Sequence, residues 1–265
     1  MNLAARLFSL ALLIAGWFAG AQMAGPRLLP DPYLVGATLW NEAYATSCAQ
    51  PEWIEKLLVG LGGCLALNLG WTLFRVAASF VIAMVIGTAL GIWMGRSRLA
   101  DRLADPWLVA LLNLPALVII VLAYVWAGLN EGAAIAAVAL NKLPNATVTV
   151  REGARAFDRS LDEMAEVFHM SSWVRLRHVL VPQLAPYIAA AARSGLSLAW
   201  KIVLIVELLG RPNGVGFEIG TAFQLFDVTK ILAYAIAFVL VMLAIETFLV
   251  QPIERHVSRW RPKAA

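Results

Sequence analysis

Apolar residues collect in six long stretches of the chain, and polar, turn-forming segments separate them. A helix needs about 20 predominantly apolar residues to cross the hydrocarbon core of a bilayer. The pattern therefore predicts an all-α, polytopic membrane protein with about six transmembrane helices. We expect these helices at about residues 7–24, 73–94, 107–127, 132–150, 186–209 and 231–250.

Asn and Pro residues should interrupt two of these spans, because Pro lacks the backbone donor that a helix requires. We expect a break in the third span at Asn113-Leu114-Pro115 and another in the fourth, within NKLPN at 141–145. The Gly-rich apolar segment 53–69 is predicted to be an interfacial helix or a packing element beside the pore. The chain then divides into an N-terminal region, 1–70, and a core, 71–265.

Composition supports a membrane protein independently of the pattern. Hydrophobic residues make up 61% of the chain and charged residues 14%, whereas a soluble domain usually carries about 25% charged residues. The chain also contains ten Trp residues, a residue that gathers at membrane–water interfaces. The net charge of +4 follows from basic loops on one side of the membrane, so we do not expect nucleic acid as a partner.

Basic residues are divided unevenly between the two sets of loops, with 13 on one side and four on the other. The positive-inside rule places the richer side in the cytoplasm, which makes both termini and the loop 151–185 cytoplasmic. The small residues AGAQMAG after the first span leave a cleaved signal peptide as an alternative there. Cys48 and Cys64 lack metal-ligand spacing, and the pattern does not favour a disulfide between them.

The charged stretch SLDEMAEVFHMSSWVRLRHVLVP, residues 160–182, stands out between the spans. Ser160 and Glu163 have the spacing of a capping box, which predicts a short helix beginning at Leu161. Three apolar side chains then share one face of that helix: Met164, Val167 and Phe168. The helix should end near His169.

A second short helix is predicted from Trp173 towards Val181, with Ser171 or Ser172 as its cap. Pro182 should stop this helix or open the next element. The segment would thus form a helix–turn–helix hairpin at the membrane surface. The alternative is an amphipathic loop that rests on anionic lipid headgroups.

The spacing in this segment resembles the signature loop of ABC-importer permeases, in which Glu-Ala-Ala precedes a Gly and a closing apolar-Leu-Pro element. Glu163-Met164-Ala165 stands at the first position and RHVLVP at the last. Segments 72–95 and 194–210 resemble spans of the nitrate/sulfonate/taurine group of these permeases, so the resemblance covers roughly 70–260. The family's Gly falls at His169, a residue that adopts positive φ only at some cost.

The resemblance implies a cytoplasmic hairpin that docks on a separate ATPase subunit in a bacterial inner membrane. It also implies a solute-binding protein outside, a homodimer or a paired permease, and a small solute such as nitrate, a sulfonate, taurine or bicarbonate. The residues that would make the ATPase contact are Glu163, Met164, Ala165, Phe168, His169, Met170 and Pro182.

The chain has no nucleotide-binding motif of its own, because no Lys is preceded by Gly as a Walker A loop requires. ATP would therefore be bound by the partner subunit, and we expect no cofactor in this chain. Motifs for metal binding or nucleophilic catalysis are also missing, which argues against an enzyme.

Ionisable residues within spans cost free energy to insert, so each is a candidate functional residue. Lys201 and Glu207 lie about 240° apart on an ideal helix, so each needs its own partner. One interpretation is a translocation path biased towards anions and lined by Asn113, Asn141, Lys142, Lys201 and Glu207. The other is that these residues form ion pairs that fix helix packing.

Three other charged residues at span ends have a structural interpretation. Arg75 and Arg193 can extend their side chains to the interface, and Glu246 should form a local ion pair. A competing function for the whole chain is an ion-coupled secondary transporter. That class needs no ATPase-docking loop and typically has an internal repeat of its spans.

Overall fold

The computed structural model describes residues 3–48, 53–157 and 159–253. These residues form helices and short connections, with no strand among them. The helices are α1 (Leu3–Ala24), α2 (Pro32–Tyr44), α3 (Trp53–Arg96), α4 (Arg98–Asn113), α5 (Ala116–Ala127), α6 (Glu131–Arg155), α7 (Arg159–Val167), α8 (Ser172–Arg175), α9 (Val181–Gly210), α10 (Val215–Gln224) and α11 (Val228–Ile245). Wide π-helical turns follow α8 at Leu176–Leu180 and α11 at Glu246–Val250.

Four helical segments of the described chain are long and apolar enough to cross a membrane: Lys56–Arg96, Glu131–Arg155, Trp173–Gly210 and Val228–Ile253. Helices α4 and α5 make a fifth if the bent pair is one span. The apolar stretch of α1, Ala11–Ala24, is shorter than a usual crossing. The prediction of an all-helical, multi-span protein is confirmed.

The two predicted breaks have different outcomes. The third span bends by 98° between α4 and α5, where Pro115 precedes the first residue of α5. The predicted interruption of the fourth span is wrong, since α6 continues through Pro144. Membrane helices tolerate an internal Pro where neighbouring helices pack closely.

Close packing against α6 comes from three glycines of α3, spaced four residues apart. A Cβ on Gly87, Gly91 or Gly95 would lie within 2.8 Å of a side chain on α6. Small residues at this spacing allow membrane helices to approach closely. The two backbones are therefore in near contact along the part of α6 that contains Pro144.

The predicted boundary between segment 53–69 and the second span is also wrong. The helical path breaks instead at Gly62 and Gly63, and runs on to Arg96 without interruption. Gly63 has φ +62°, and a Cβ there would meet the backbone of Glu42 and Ala43 at about 2.5 Å, so only Gly fits.

Cys48 and Cys64 form a disulfide, which the sequence pattern did not favour. The Cys64 N–H donates to the carbonyl of Ala45 at 2.9 Å. This backbone hydrogen bond holds the chain at Cys64 next to the segment that follows α2, in addition to the disulfide. The break at Gly63 is what brings Cys64 back against the chain that follows α2.

The segment 160–182 also differs from its predicted form. Helix α7 begins at Arg159, so Ser160 lies within the helix instead of capping it. Pro182 is the second residue of α9, so it opens the next element, which is one of the two outcomes predicted for it. A Pro is tolerated in the first turn of a helix, because it lacks an N–H that would have no intrahelical partner there.

The packing of the chain divides it into two units. Unit 1 contains the residues up to Leu73 together with Glu207–Met242, and therefore includes the predicted N-terminal region. Unit 2 contains Phe74–Val206 and the residues from Leu243 onward. A small apolar core in unit 2 joins Ala154 of α6 to Leu180 and Leu184 at the start of α9.

Candidate functional site

Helix α7 ends in a Schellman motif with His169 in the left-handed conformation. His169 has φ +48°, and its N–H donates to the carbonyl of Glu166 at 3.0 Å. The next N–H, that of Met170, reaches back to the Ala165 carbonyl at 2.9 Å. These two bonds define the motif, whose left-handed position is usually Gly. His169 thus takes the left-handed conformation that suits the Gly implied at this position by the resemblance of the segment.

The chain after the turn is capped as well. The Ser171 hydroxyl accepts from the N–H of Val174 at 3.4 Å, and its carbonyl accepts from Arg175 at 2.9 Å. Ser171 is therefore the cap of α8, one of the two residues predicted for it. A salt bridge of 3.6 Å between Arg175 and Glu166 joins the two sides of the turn.

Apolar side chains at the end of α7 point away from the protein. Phe168 is 70% exposed and Val167 75%. Ala165 is instead buried at 1% exposure, so the side of α7 that carries Ala165 packs against the rest of the protein. Glu163 and His169 are exposed, and Met170 is half-buried.

A shallow, mainly apolar groove lies beside α7 and has a volume of about 250 Å³. It is lined by Leu161, Met164, His178, Val179, Pro182 and Gln183. Pro182, which was predicted to stop the second short helix or to open the next element, forms part of this lining. The predicted coupling residues thus lie in three places: at the exposed end of α7, on its buried side and in the groove beside it.

The residues predicted to line a translocation path lie in different environments. Lys142 is buried in α6 at 4% exposure, whereas Lys201 of α9 is exposed. Neither lysine has a hydrogen bond or ion pair with another described residue. Asn141 is half-buried beside Lys142. The Asn113 amide donates to the Val109 carbonyl at 2.8 Å, within its own helix.

Glu207, the fifth of these residues, belongs to unit 1 and is fully buried. Its Oε2 accepts from the Thr72 hydroxyl at 3.0 Å and from the Gly216 N–H at 2.8 Å. The Thr72 oxygen also accepts from the Val215 N–H at 2.9 Å. Glu207 of α9 and Thr72 of α3 therefore hold the first residues of α10.

Asn68, one turn before Thr72, completes this arrangement. Its Oδ1 accepts from the Gly214 N–H at 2.8 Å, and its amide donates to Glu218 at 3.1 Å. We call Asn68, Thr72, Glu207, Glu218 and the backbone N–H groups of 214–216 the Glu207 network. Sequence analysis missed Asn68 and Thr72, although polar residues four apart in an apolar helix were a usable signal.

An ionic cluster in unit 1 extends this network. The Lys230 ammonium lies 2.8 Å from Glu218 and 3.4 Å from Glu42. The Tyr234 hydroxyl donates to Glu42 at 2.8 Å. The cluster joins α2, α10 and α11, and nothing in the local sequence around Lys230 indicates it.

Arg75 does not extend to the interface as predicted. It is buried at 1% exposure, and its guanidinium donates two hydrogen bonds to the Glu131 carboxylate, at 2.9 and 2.8 Å. Such paired donors favour carboxylate binding by Arg. Arg193 does lie at the surface, and its Nε is 3.5 Å from Glu246, which is the local ion pair expected for Glu246.

The geometry of the described residues does not suggest a metal centre. No group of three or more His, Cys, Asp or Glu side chains among them is arranged to hold a metal ion.

Comparison with known proteins gives a match over most of the chain. The family described as "Binding-protein-dependent transport system inner membrane component" matches residues 87–260. A probable ABC transporter permease protein of Brucella abortus is 27% identical over 99% of this chain and 98% of its own. A putative aliphatic sulfonates transport permease protein of Bacillus subtilis is 28% identical over 95% of this chain and 85% of its own.

Solved structures agree on the fold. The MetNI methionine ABC transporter, in inward-facing conformations, aligns with a TM-score of 0.62 at 19% identity. The alignment covers 73% of this chain and 96% of that one.

Proposed function

The chain belongs to the family of binding-protein-dependent transport system inner membrane components, and we propose that it is the membrane-spanning subunit of an ATP-driven ABC importer. A separate ATPase subunit binds and hydrolyses ATP, and this chain couples that hydrolysis to the import of a small anionic solute. The observation that carries the proposal is the exposed apolar end of a firmly capped helix, α7.

The build of α7 suits a part that transmits movement. Two backbone hydrogen bonds fix its end, and Ala165 seats it against the protein. Exposed Phe168 and Val167 can then enter a pocket on the ATPase, as buried aromatic anchors do at protein interfaces. Glu163 lies at the rim, where charged residues set orientation more than affinity.

Co-purification tests the ATPase contact. We expect the ATPase subunit encoded with this chain to purify with the wild-type protein, and to be lost when Glu163→Arg and Ala165→Trp are combined. A folded double variant that retains the ATPase at the wild-type ratio would contradict the proposal. Ion-coupled secondary transport would be favoured if no ATPase co-purifies with the wild-type chain.

An anionic solute is supported by the two lysines within membrane spans. Lys142 is buried and Lys201 exposed, and neither has a partner among the described residues. A charged residue at such a depth is unfavourable unless it meets an opposite charge or water. We propose that Asn113, Asn141, Lys142 and Lys201 line the solute path. A relative described as a putative aliphatic sulfonates transport permease protein is consistent with a solute of this charge.

The variant Lys201→Met tests the solute path separately. The side chain is exposed and has no hydrogen bond or ion pair with another described residue, so we expect normal expression and normal ATPase assembly. Solute uptake in reconstituted vesicles should fall by at least about tenfold, the effect of losing one charge-assisted contact. Uptake at the wild-type rate would remove Lys201 from the path.

The assembly and orientation follow from the same proposal. Two copies of this chain, or one copy with a related permease, would enclose the path, with a solute-binding protein outside. Both termini would be cytoplasmic, at the side that holds 13 of the loop arginines and lysines. The Cys48–Cys64 disulfide falls on the opposite side, where an oxidising compartment allows disulfides to persist.

A further inference from the structure

A second candidate site lies in unit 2, where α3 ends, α4 begins and α6 ends. A cavity of about 540 Å³ opens there, within the volume range of small-molecule sites. It is lined by Met94, Gly95, Arg96, Arg98, Asp101, Ala154, Arg155 and Phe157. We call it the arginine pocket, and neither the coupling contact nor the solute path uses it.

The side chains that line the pocket carry more positive than negative charge. Three guanidinium groups line it against one carboxylate, that of Asp101. Asp101 is already occupied, because Arg155 donates to its Oδ2 at 2.5 Å and Arg151 to its Oδ1 at 3.3 Å. Arg155 is itself paired with Asp101 and with Glu152 at 3.0 Å, but the lining as a whole still carries more positive than negative charge.

Two arginines are well placed to meet an anion. Arg98 is exposed and has no partner among the described residues. The Arg96 guanidinium lies over the ring of Phe157, 5.4 Å from its centre. A guanidinium plane of this kind matches the geometry of phosphate oxygens.

The start of α4 adds a backbone contribution. Ser97 caps this helix by accepting from the Ala100 N–H at 3.2 Å, and Arg98 is its first residue. The positive end of a helix of 16 residues thus opens at the rim of the pocket. Helix N-termini favour negative groups through their free N–H donors.

The surface beside the pocket is suited to lipid. Four large apolar side chains on α3 and α4 are at least 56% exposed: Trp93, Leu99, Leu103 and Trp107. Trp concentrates at the level of lipid headgroups, and acyl chains can cover the exposed leucines. A headgroup in the pocket would have its chains on this surface.

We propose that the arginine pocket binds a phosphate-bearing anion, which the flanking apolar surface identifies with the headgroup of an anionic phospholipid. Basic pockets between transmembrane helices are suited to such headgroups. Phe157 gives the occupant a structural consequence, because it also packs against the core formed by Ala154, Leu180 and Leu184. A bound headgroup would restrict the movement of the chain just before α7.

Native mass spectrometry of the full-length chain, released from detergent in the presence of defined lipids, tests this site. The probes are phosphatidylglycerol, phosphatidylcholine and inorganic phosphate, each supplied alone. We expect the wild-type chain to retain phosphatidylglycerol in preference to phosphatidylcholine. In Arg98→Gln combined with Arg96→Gln, retention should weaken by at least about tenfold, because charge-assisted contacts are lost.

Arg102→Gln is the matched control, because Arg102 is exposed on the same helix but does not line the pocket. It should retain phosphatidylglycerol like the wild type. If the double variant unfolds, the single variant Arg98→Gln is measured instead, since Arg98 has no hydrogen bond or ion pair with another described residue. Retention of inorganic phosphate that depends on the same arginines would support the site and assign it to soluble anions.

Two results would overturn the proposal. One is equal retention of phosphatidylglycerol and phosphatidylcholine by the wild-type chain with no retention of phosphate. The other is a loss of retention in Arg102→Gln as large as that in the pocket variants, which would indicate a diffuse charge effect.

Discussion

The segment 160–182 and the Glu207 network are stabilised by different kinds of contact. The segment is held by bonds between residues close in sequence, and it leaves Phe168 and Val167 exposed. The network joins residues up to 150 positions apart and is almost completely buried. The difference separates two tasks: the segment is arranged to meet another molecule, and the network to hold this one together.

The exposure of each region determines how a substitution should act. Truncating a buried, hydrogen-bonded residue leaves donors without acceptors and lowers stability. Truncating an exposed apolar residue changes stability little, but weakens any interface that the residue anchors. Stability and ATPase coupling should therefore respond to different sets of variants, and this separation can be measured.

The largest effect is expected for Glu207→Ala. The Gly216 N–H would lose its acceptor in a buried site, whereas the Thr72 hydroxyl could still donate to the Asn68 carbonyl. The removed side chain would also leave a cavity, because Glu207 is fully buried, and the two effects together cost about 4 kcal/mol. The free energy of unfolding in detergent, followed by circular dichroism, should fall by that amount. Leu208→Ala changes the adjacent, half-exposed residue and should cost less than about 1 kcal/mol. Equal stability of the two variants would contradict the role of the network.

The next effect in size concerns the disulfide of unit 1. The Cys48–Cys64 bond links residues 16 positions apart, and a loop of that length is stabilised by about 3 kcal/mol on the chain-entropy account. Combined Cys48→Ala and Cys64→Ala substitution, or reduction of the wild type, should lower the unfolding free energy by about that much. The substituted protein should not respond to the reductant, and an unchanged wild type under reduction would refute the prediction.

The sequence predicted the segment better than the network, for a physical reason. The end of α7 near His169 and the cap at Ser171 depend on local side-chain and backbone preferences, which a few residues reveal. The Glu207 network depends on contacts between α3 and the loop before α10, and local sequence carries no record of them. The all-helical, multi-span fold and the break at Pro115 were predictable because hydropathy and Pro act locally, whereas four or five described segments, not six, are long and apolar enough to cross a membrane.

The errors follow the same division. Pro144 was expected to interrupt the fourth span, but the close packing of α6 against Gly87, Gly91 and Gly95 accommodates it. The break at Gly63 was missed because its cause is the backbone of Glu42 and Ala43, which is distant in sequence. Tertiary contacts thus decided the points at which local rules failed.

The smallest effect is expected for His169→Gly, and it sharpens the account of the segment. Left-handed φ costs a non-Gly residue about 1 kcal/mol, so Gly should relieve strain at the end of α7. Amide hydrogen exchange at position 169 and at Met170 should slow about fivefold, as local opening becomes less favourable by that amount. His169→Ala keeps the Cβ and should give no protection. Equal exchange in the Gly and Ala variants would show that φ +48° carries no strain.

The most direct test of the central claim is ATP hydrolysis by the reconstituted complex carrying Phe168→Ala. Phe248→Ala is the matched control, since Phe248 is an equally exposed Phe, at 79%, outside the segment. We predict that Phe168→Ala leaves the melting temperature of this chain unchanged and weakens ATPase binding by about 30-fold, equivalent to about 2 kcal/mol. Solute-stimulated hydrolysis should be lost with it and persist in the control. Wild-type stimulation with Phe168→Ala would contradict the claim that the exposed end of α7 couples this chain to an ATPase.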